Sequence, residues 1–122
     1  MKKISIITVS FNSEKTILKT ILSVKKQSYK NIEHIFIDGL SNDNTVNIIK
    51  KNMNKKTSIL ISEKDYGIYH AMNKGIKLSK GEIIFILNSD DTFYNKSIID
   101  NIINIFKQNN KLDLIYGDLV FT

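Results

Sequence analysis

Short β-branched runs alternate with stretches of helical periodicity along this chain, and that alternation restricts the fold more than any other feature. Ile4–Ser10, Ile32–Asp38 and Thr57–Ser62 read as strands, as does the five-residue apolar run Ile83–Leu87, which is too short for a helix of its own. Leu112–Tyr116 reads as a further strand; Gly117-Asp118 turns, and Leu119–Thr122 begins another extended piece. Between them, Ile17, Leu18, Ile21 and Leu22 predict a helix over Glu14–Lys26. Val46, Ile49 and Met53 predict one over Asn44–Met53, and Ile68, Met72 and Ile76 one over Ile68–Ser79. Ile98, Ile99, Ile102, Ile103 and Phe106 predict the last, over Lys96–Asn109. Asn12 or Ser13 is placed to cap the first helix, and Gly81 to end the third in a left-handed turn.

Strands that alternate with helices imply an α/β fold: a mostly parallel sheet with helices on both faces. Ligands of such sheets bind beyond the carboxyl ends of the strands, where strand order reverses. Three strands end in polar clusters, Ser10-Phe11-Asn12, Asp38-Gly39-Leu40-Ser41 and Asn88-Ser89-Asp90-Asp91, and a parallel sheet sets all three along one edge. Asp90 and Asp91 are hard oxygen ligands, and Mg2+ or Mn2+ takes one or two carboxylates while water and phosphate oxygens fill its shell. A turn built on Asp and Asn explains the same residues without a metal. Asp38 is placed to accept from a base or ribose donor, or to form a turn into Gly39. Lys74 is placed to neutralise a phosphate, or to be solvated. His34 and His70 have no second ligand at metal spacing and read as structural.

The chain has 122 residues, one domain's worth, enough to bury about two thirds of its unfolded surface. Its formal charge is +6, but all 18 basic residues are lysines, scattered in pairs such as Lys25-Lys26 and Lys55-Lys56. Nucleic-acid readers cluster their basic residues and lean on arginine, so no nucleic-acid partner is expected. The lysines read as solvated surface, with weak attraction to anionic lipid as the alternative. Absence of cysteine excludes disulfides and thiolate metal sites. The amino terminus starts like a signal peptide, but Ser5, Thr8 and Ser10 interrupt it, and no apolar run approaches the roughly 18 residues of a membrane span. A cytoplasmic protein is expected, at most peripheral to the inner face of the membrane. No Gly-x-Gly-x-x-Gly or Walker-type loop is present, so any phosphates would be held by metal rather than by a glycine cradle.

Five segments occur in a telling order: Thr8–Asn12, Ile37–Thr45, Glu63–Tyr69, Ala71–Ile76 and Leu87–Asp91. Together they resemble the amino-terminal half of a family 2 glycosyltransferase with the GT-A, Rossmann-like fold. Within that family the chain is most similar to bacterial enzymes that build capsule, O-antigen and other surface polysaccharides. The resemblance implies a donor-binding domain over the whole chain, with Val9, Ser10, Asn12, Glu14, Asp38, Ser41, Asp65, Asn73, Lys74, Asn88, Ser89 and Asp90 toward the nucleotide. Asp90 and Asp91 would face a Mn2+ or Mg2+ ion. The Asp-x-Asp motif aligns with Asn88-Ser89-Asp90, so its first carboxylate is an amide here. The implied reaction is inverting transfer from a nucleoside-diphosphate sugar, UDP-sugar favoured, to a saccharide or lipid-linked acceptor. Enzymes of this kind run about a hundred residues further, and the general base is expected beyond Thr122. A chain truncated in this way is expected to expose a sheet edge and to pair with a second copy. A nucleotide-binding module without catalysis is the alternative. A sugar-phosphate nucleotidyltransferase is disfavoured, since Phe11-Asn12-Ser13-Glu14 is not a glycine- and arginine-rich loop.

Overall fold

The expected strands and helices are all present in the computed structural model, which describes residues 2–108 and 114–116. They are β1 (Ile4–Ser10), α1 (Ile17–Lys25), β2 (Ile32–Asp38), α2 (Thr45–Asn52), β3 (Ser58–Ser62), α3 (Ile68–Leu78), β4 (Ile83–Ile86), α4 (Ile98–Gln108) and β5 (Leu114–Tyr116). The expected Gly117-Asp118 turn and the extended piece Leu119–Thr122 lie outside the described residues. Among those residues, no helix is long and apolar enough to cross a membrane.

The five strands form one parallel sheet in the order β3-β2-β1-β4-β5. The chain builds outward from β1 to β3, then returns to place β4 and β5 on the other side of β1. Strand order therefore reverses between β1 and β4. Side chains alternate along each strand, so the two faces carry different layers. Phe36 on one face packs with Ile17 and Ile21 of α1 and Ile49 of α2. On that same face Ile4, Ile6, Ile83 and Phe85 meet Val24 of α1 and Ile98, Ile99, Ile102 and Ile103 of α4. Ile7, Ile35, Ile37 and Ile86 point the other way, under Ala71 and Met72 of α3. Each fully buried Ile or Phe contributes about 2 kcal/mol through removal of apolar surface from water, so these layers dominate stability.

Two local expectations are corrected. Helix α1 starts at Ile17 rather than Glu14, and its N-cap Thr16 makes no side-chain capping bond. The Ser13 carbonyl instead accepts from the N–H groups of Thr16 and Ile17, while the Asn12 and Ser13 side chains are drawn into bonds with other loops. Helix α3 ends without a left-handed residue, since Ser79 is extended at φ −68° and ψ 140°. Gly81 serves close approach instead: a Cβ there would strike the Ser5 hydroxyl and lie 2.6 Å from the Ser5 backbone nitrogen. Its N–H donates to Ser5 Oγ at 2.8 Å.

Gly75 lets α3 settle onto the sheet. A Cβ at Gly75 would lie 2.5 Å from Cγ2 of Ile7, a buried β-branched side chain with little room to turn. Helix propensity alone favours Ala over Gly by about 1 kcal/mol. Overpacking of this contact should outweigh it, so Gly75→Ala is expected to lose about 1–3 kcal/mol in urea denaturation, and a more stable variant would refute the packing argument.

His34 lies buried in β2 with Nε2 2.7 Å from Thr8 Oγ1. Burial pushes its imidazole down from 6.5 to about 3. The unfolded chain takes up this proton near the ordinary value, whereas the folded chain resists until far lower pH. Acidification across that window therefore favours unfolding. Unfolding free energy should fall by about 1 kcal/mol per pH unit from this group as pH drops below about 6.5. His34→Gln, which does not titrate, should show a shallower loss over the same window by denaturant titration.

Candidate functional site

Parallel pairing aligns Ser10, Asp38 and Ser62 in one row across the carboxyl ends of β1, β2 and β3. Asp38 sits at the centre of that row and is wholly buried. Its Oδ1 accepts from Ser10 Oγ at 2.8 Å and Ser41 Oγ at 2.6 Å. Its Oδ2 accepts from the Ser41 N–H and from Ser62 Oγ, both at 2.8 Å. Four donors thus occupy the lone pairs of a buried carboxylate. Asp38, placed by the sequence either to meet a ligand donor or to form a turn, is in this arrangement the anchor that holds three strand ends and a loop together. A Cβ on Gly39, next to it, would come within 2.9 Å of Asp65 Oδ2, the end of a side chain that lines the cleft.

The loops after β1 and β2 are stitched to each other above this row. The Asn12 N–H donates to Ser41 Oγ, and Asn12 Oδ1 accepts from the Asn42 N–H. The Ser13 N–H donates to Thr45 Oγ1, and the Glu14 N–H to Asp43 Oδ2. Asn12 adopts a positive φ of 47° to make this turn, a conformation that asparagine tolerates better than most residues. Partial burial pushes the Asp43 carboxyl up, but hydrogen bonds from Thr45 and Glu14 outweigh it and hold its pKa below the ordinary carboxylate value.

After β4 the chain turns through Asn88–Asp91, closed by the Asp91 N–H donating to the Asn88 carbonyl at 3.0 Å. Thr20, a hydroxyl inside the buried stripe of α1, holds this turn from below. Its Oγ1 lies 3.0 Å from the Ser89 carbonyl and 2.6 Å from the Asp91 carbonyl. Ser13 Oγ and Ser89 Oγ are 2.7 Å apart, which joins the loop after β1 to the turn after β4.

Between these two loops, at the point of strand reversal, lies an open cleft of about 570 Å³. Val9, Ser10, Asp65, Asn88, Ser89 and Asp90 of the expected set line it together. Phe11, inside the Thr8–Asn12 segment of the resemblance, lines it too, as do Ser13, Gly67 and Ile68, which were not singled out from the sequence as ligand contacts. Phe11 is 60% exposed, an apolar ring left in water at the rim. Asn12, Glu14, Asp38, Ser41, Asn73, Lys74 and Asp91 are not on the lining. Asn73 is exposed on α3, and the Lys74 ammonium is engaged by Glu63 at 3.0 Å and the Lys64 carbonyl at 3.1 Å. A smaller hollow of about 170 Å³ beside His34 and Met53 sits at the opposite end of the strands, and its lining carries no carboxylate.

The turn after β4 has the donors for a hard cation. Asn88 Oδ1 is a buried oxygen with no hydrogen-bond partner among the described residues, an arrangement that costs about 1–3 kcal/mol unless something coordinates it. Asp90 is exposed at the cleft and Asp91 follows it in the turn. Among the described residues no three His, Cys, Asp or Glu side chains gather to make a complete protein cage. One or two carboxylates with an amide oxygen match an ion that completes its shell from water and a bound phosphate.

A family model described as glycosyl transferase family 2 matches residues 5–117. The chain is 37% identical over 121 residues to a poly(ribitol-phosphate) beta-N-acetylglucosaminyltransferase, TarP, of Staphylococcus aureus (strain N315), covering 96% of this chain and 36% of that protein. It is 29% identical over 119 residues to a PGL/p-HBAD biosynthesis glycosyltransferase of Mycobacterium bovis (strain BCG / Pasteur 1173P2), covering 95% of this chain and 46% of that one. The chain thus spans less than half the length of these relatives. The solved structure of S. aureus TarS 1-349 in complex with UDP-GlcNAc matches with a TM-score of 0.81 and 27% identity, over 88% of this chain and 32% of that one. A mannosyltransferase of Pyrobaculum calidifontis, in complex with GDP-Man and Mn2+, shares the fold at a TM-score of 0.79 and 20% identity, over 86% of this chain and 32% of that one.

Removal of the Asp38 carboxylate strands the buried Ser10 hydroxyl, the half-buried Ser41 hydroxyl and its N–H, and the exposed Ser62 hydroxyl. Asp38→Ala should therefore destabilise by about 3 kcal/mol or more, read as a shift in the urea midpoint, and a loss below about 1 kcal/mol would show that the four bonds do not anchor the edge.

Proposed function

The chain belongs to the family 2 glycosyltransferases, and on that premise we propose that its cleft binds the nucleoside-diphosphate part of a sugar donor. A UDP-sugar is the favoured donor, and residues 1–122 form the donor-binding domain. The parent activity is inverting transfer to a saccharide or lipid-linked acceptor during synthesis of a bacterial surface polysaccharide, on the cytoplasmic side of the membrane. The observation that carries this reading is the buried Asn88 Oδ1, unpartnered among the described residues, in the same turn as Asp90 and Asp91, where Asn88 and Asp90 line the cleft at the point of strand reversal.

In this reading Asp90, Asp91 and the Asn88 amide oxygen would hold Mn2+ or Mg2+. The ion would supply charge stabilisation for the departing diphosphate. The protein's own part is positioning. Val9 and Ser10 offer the floor at the end of β1, and Asp65 the wall after β3. Phe11, exposed at the rim, offers a face for a planar base. The Ser13–Ser89 contact fixes the spacing of the two loops, so a ligand meets walls already in place. Asn88 also favours a second reading, nucleotide binding without transfer, because an amide contributes no charge where a carboxylate would.

Calorimetry with UDP in the presence and absence of Mn2+ tests both. Metal-dependent binding is expected, with Asp90→Ala weakening it by about tenfold or more. Failure of every nucleoside diphosphate to bind with either metal would remove both readings. Binding without sugar release or transfer, from the chain or from a longer form of it, would select the second.

A further inference from the structure

One side of the cleft is a strip of backbone with almost nothing packed over it. Asp65, Gly67 and Ile68 line the cleft, while Tyr66 is 81% exposed and Ile68 48% exposed. Gly67 is the N-cap of α3, has a φ of 107°, and makes no side-chain capping bond. Apolar contact does not fix this strip, so its polar bonds must. The Gly67 N–H reaches Asp65 Oδ1 at 3.4 Å, a long and weak bond. The Tyr66 N–H donates to His70 Nδ1 at 2.9 Å, the ordinary length of a good one.

His70 is the third residue of α3. From that position a side chain reaches back over the start of the helix to take up a free N–H, as a glutamate does in a capping box. Here the acceptor is an imidazole nitrogen, and the direction of the bond is unambiguous because a backbone N–H only donates. Nδ1 must therefore be unprotonated, with any ring proton on Nε2. The ring also lies against Tyr66, with centroids 5.3 Å apart and planes tilted by 47°. A proton on Nδ1 would set two donors face to face and abolish the bond.

We propose that His70 is a positioning residue for the donor cleft, whose unprotonated Nδ1 holds the Tyr66–Gly67 rim in its binding conformation. Protonation of the ring releases the rim and weakens nucleoside-diphosphate binding. The inference rests on the reading of the cleft as a nucleotide site. The other charged and titratable groups at this corner are Lys64, Asp65 and Tyr66 on the loop, Tyr69 on α3, and the Glu63–Lys74 pair that ties the loop to the helix. Asp90 lies on the turn after β4, across the cleft. None of these groups is altered in the variants, so wild type and variant are compared at each pH.

The test is calorimetric binding of UDP with Mn2+ to the full chain, from about pH 8 to about pH 5, for wild type, His70→Asn and His70→Phe. Asn offers an acceptor oxygen near the place of Nδ1 and does not titrate; Phe keeps a ring against Tyr66 and has no acceptor. Thermal melts at each pH establish that each variant is folded. His70→Phe is expected to bind about 5- to 10-fold more weakly at the upper end of the range, the factor that one lost hydrogen bond corresponds to. His70→Asn should stay within about twofold of wild type there and lose less affinity on acidification. Equal affinities for all three proteins across the range would overturn the proposal, as would a pH profile of His70→Asn that parallels wild type. Should His70→Phe fail to fold, the His70→Asn profile decides alone. Absence of UDP binding by wild type at any pH would instead strike the nucleotide reading, and with it this inference.

Discussion

Everything at the carboxyl edge of the sheet hangs on one buried carboxylate. Asp38 has lost its water, a cost of several kcal/mol for an ion, and recovers it through four donors held at 2.6–2.8 Å. Three of those donors are hydroxyls on residues that have no other reason to be near each other in sequence. Ser10 closes β1, Ser62 closes β3, and Ser41 brings the loop after β2. The Asn12 turn bonds to Ser41 in its turn, so the floor of the cleft inherits its shape from Asp38 without Asp38 being exposed in it. The charged anchor and the exposed Asp90 thus have separate duties, although both are aspartates at strand ends.

The sequence made the architecture readable because each strand is short, β-branched and followed by its own helical stripe. Strand direction followed from the alternation, and the shared edge of polar clusters followed from direction. The same residues misled where two uses of a side chain compete. Asn12 and Ser13 have the chemistry of helix caps, but the neighbouring loop offered them better bonds, so α1 starts at Ile17 on a backbone carbonyl instead. Gly81 looked like a left-handed cap because it follows a helix, whereas the constraint on it comes from Ser5, dozens of residues earlier. A contact that distant leaves no periodic trace.

Two supports of the site escaped for a related reason. Thr20 lies in a stripe of Ile17, Ile21 and Val24, where a hydroxyl among buried apolar residues is itself a signal that something polar lies opposite. That something is a pair of carbonyls in the turn after β4. Gln27, only 1% exposed, likewise spans two elements: its amide donates to the Asn95 carbonyl and its oxygen accepts from Ile99 at the start of α4. Buried polar side chains on α1 and just beyond its end therefore tell where the second half of the sheet must dock, which a reading of strand ends alone does not reveal.

The order of the strands also bears on how the chain comes into being. β1 is made first and becomes the middle of the sheet, with β2 and β3 on one flank available soon after. Its other flank stays open until residues 83–86 have been synthesised. Until then a row of unpaired backbone groups on β1 faces solvent, and the partner that closes it arrives by a long-range pairing, the slow kind. The seam that β4 closes is the one that carries the cleft, and only β5 is added to the sheet after it. Arrival of β4 is thus both the step that completes the centre of the sheet and the step that creates the pocket, and a nascent chain has no place for a ligand before it has a finished centre.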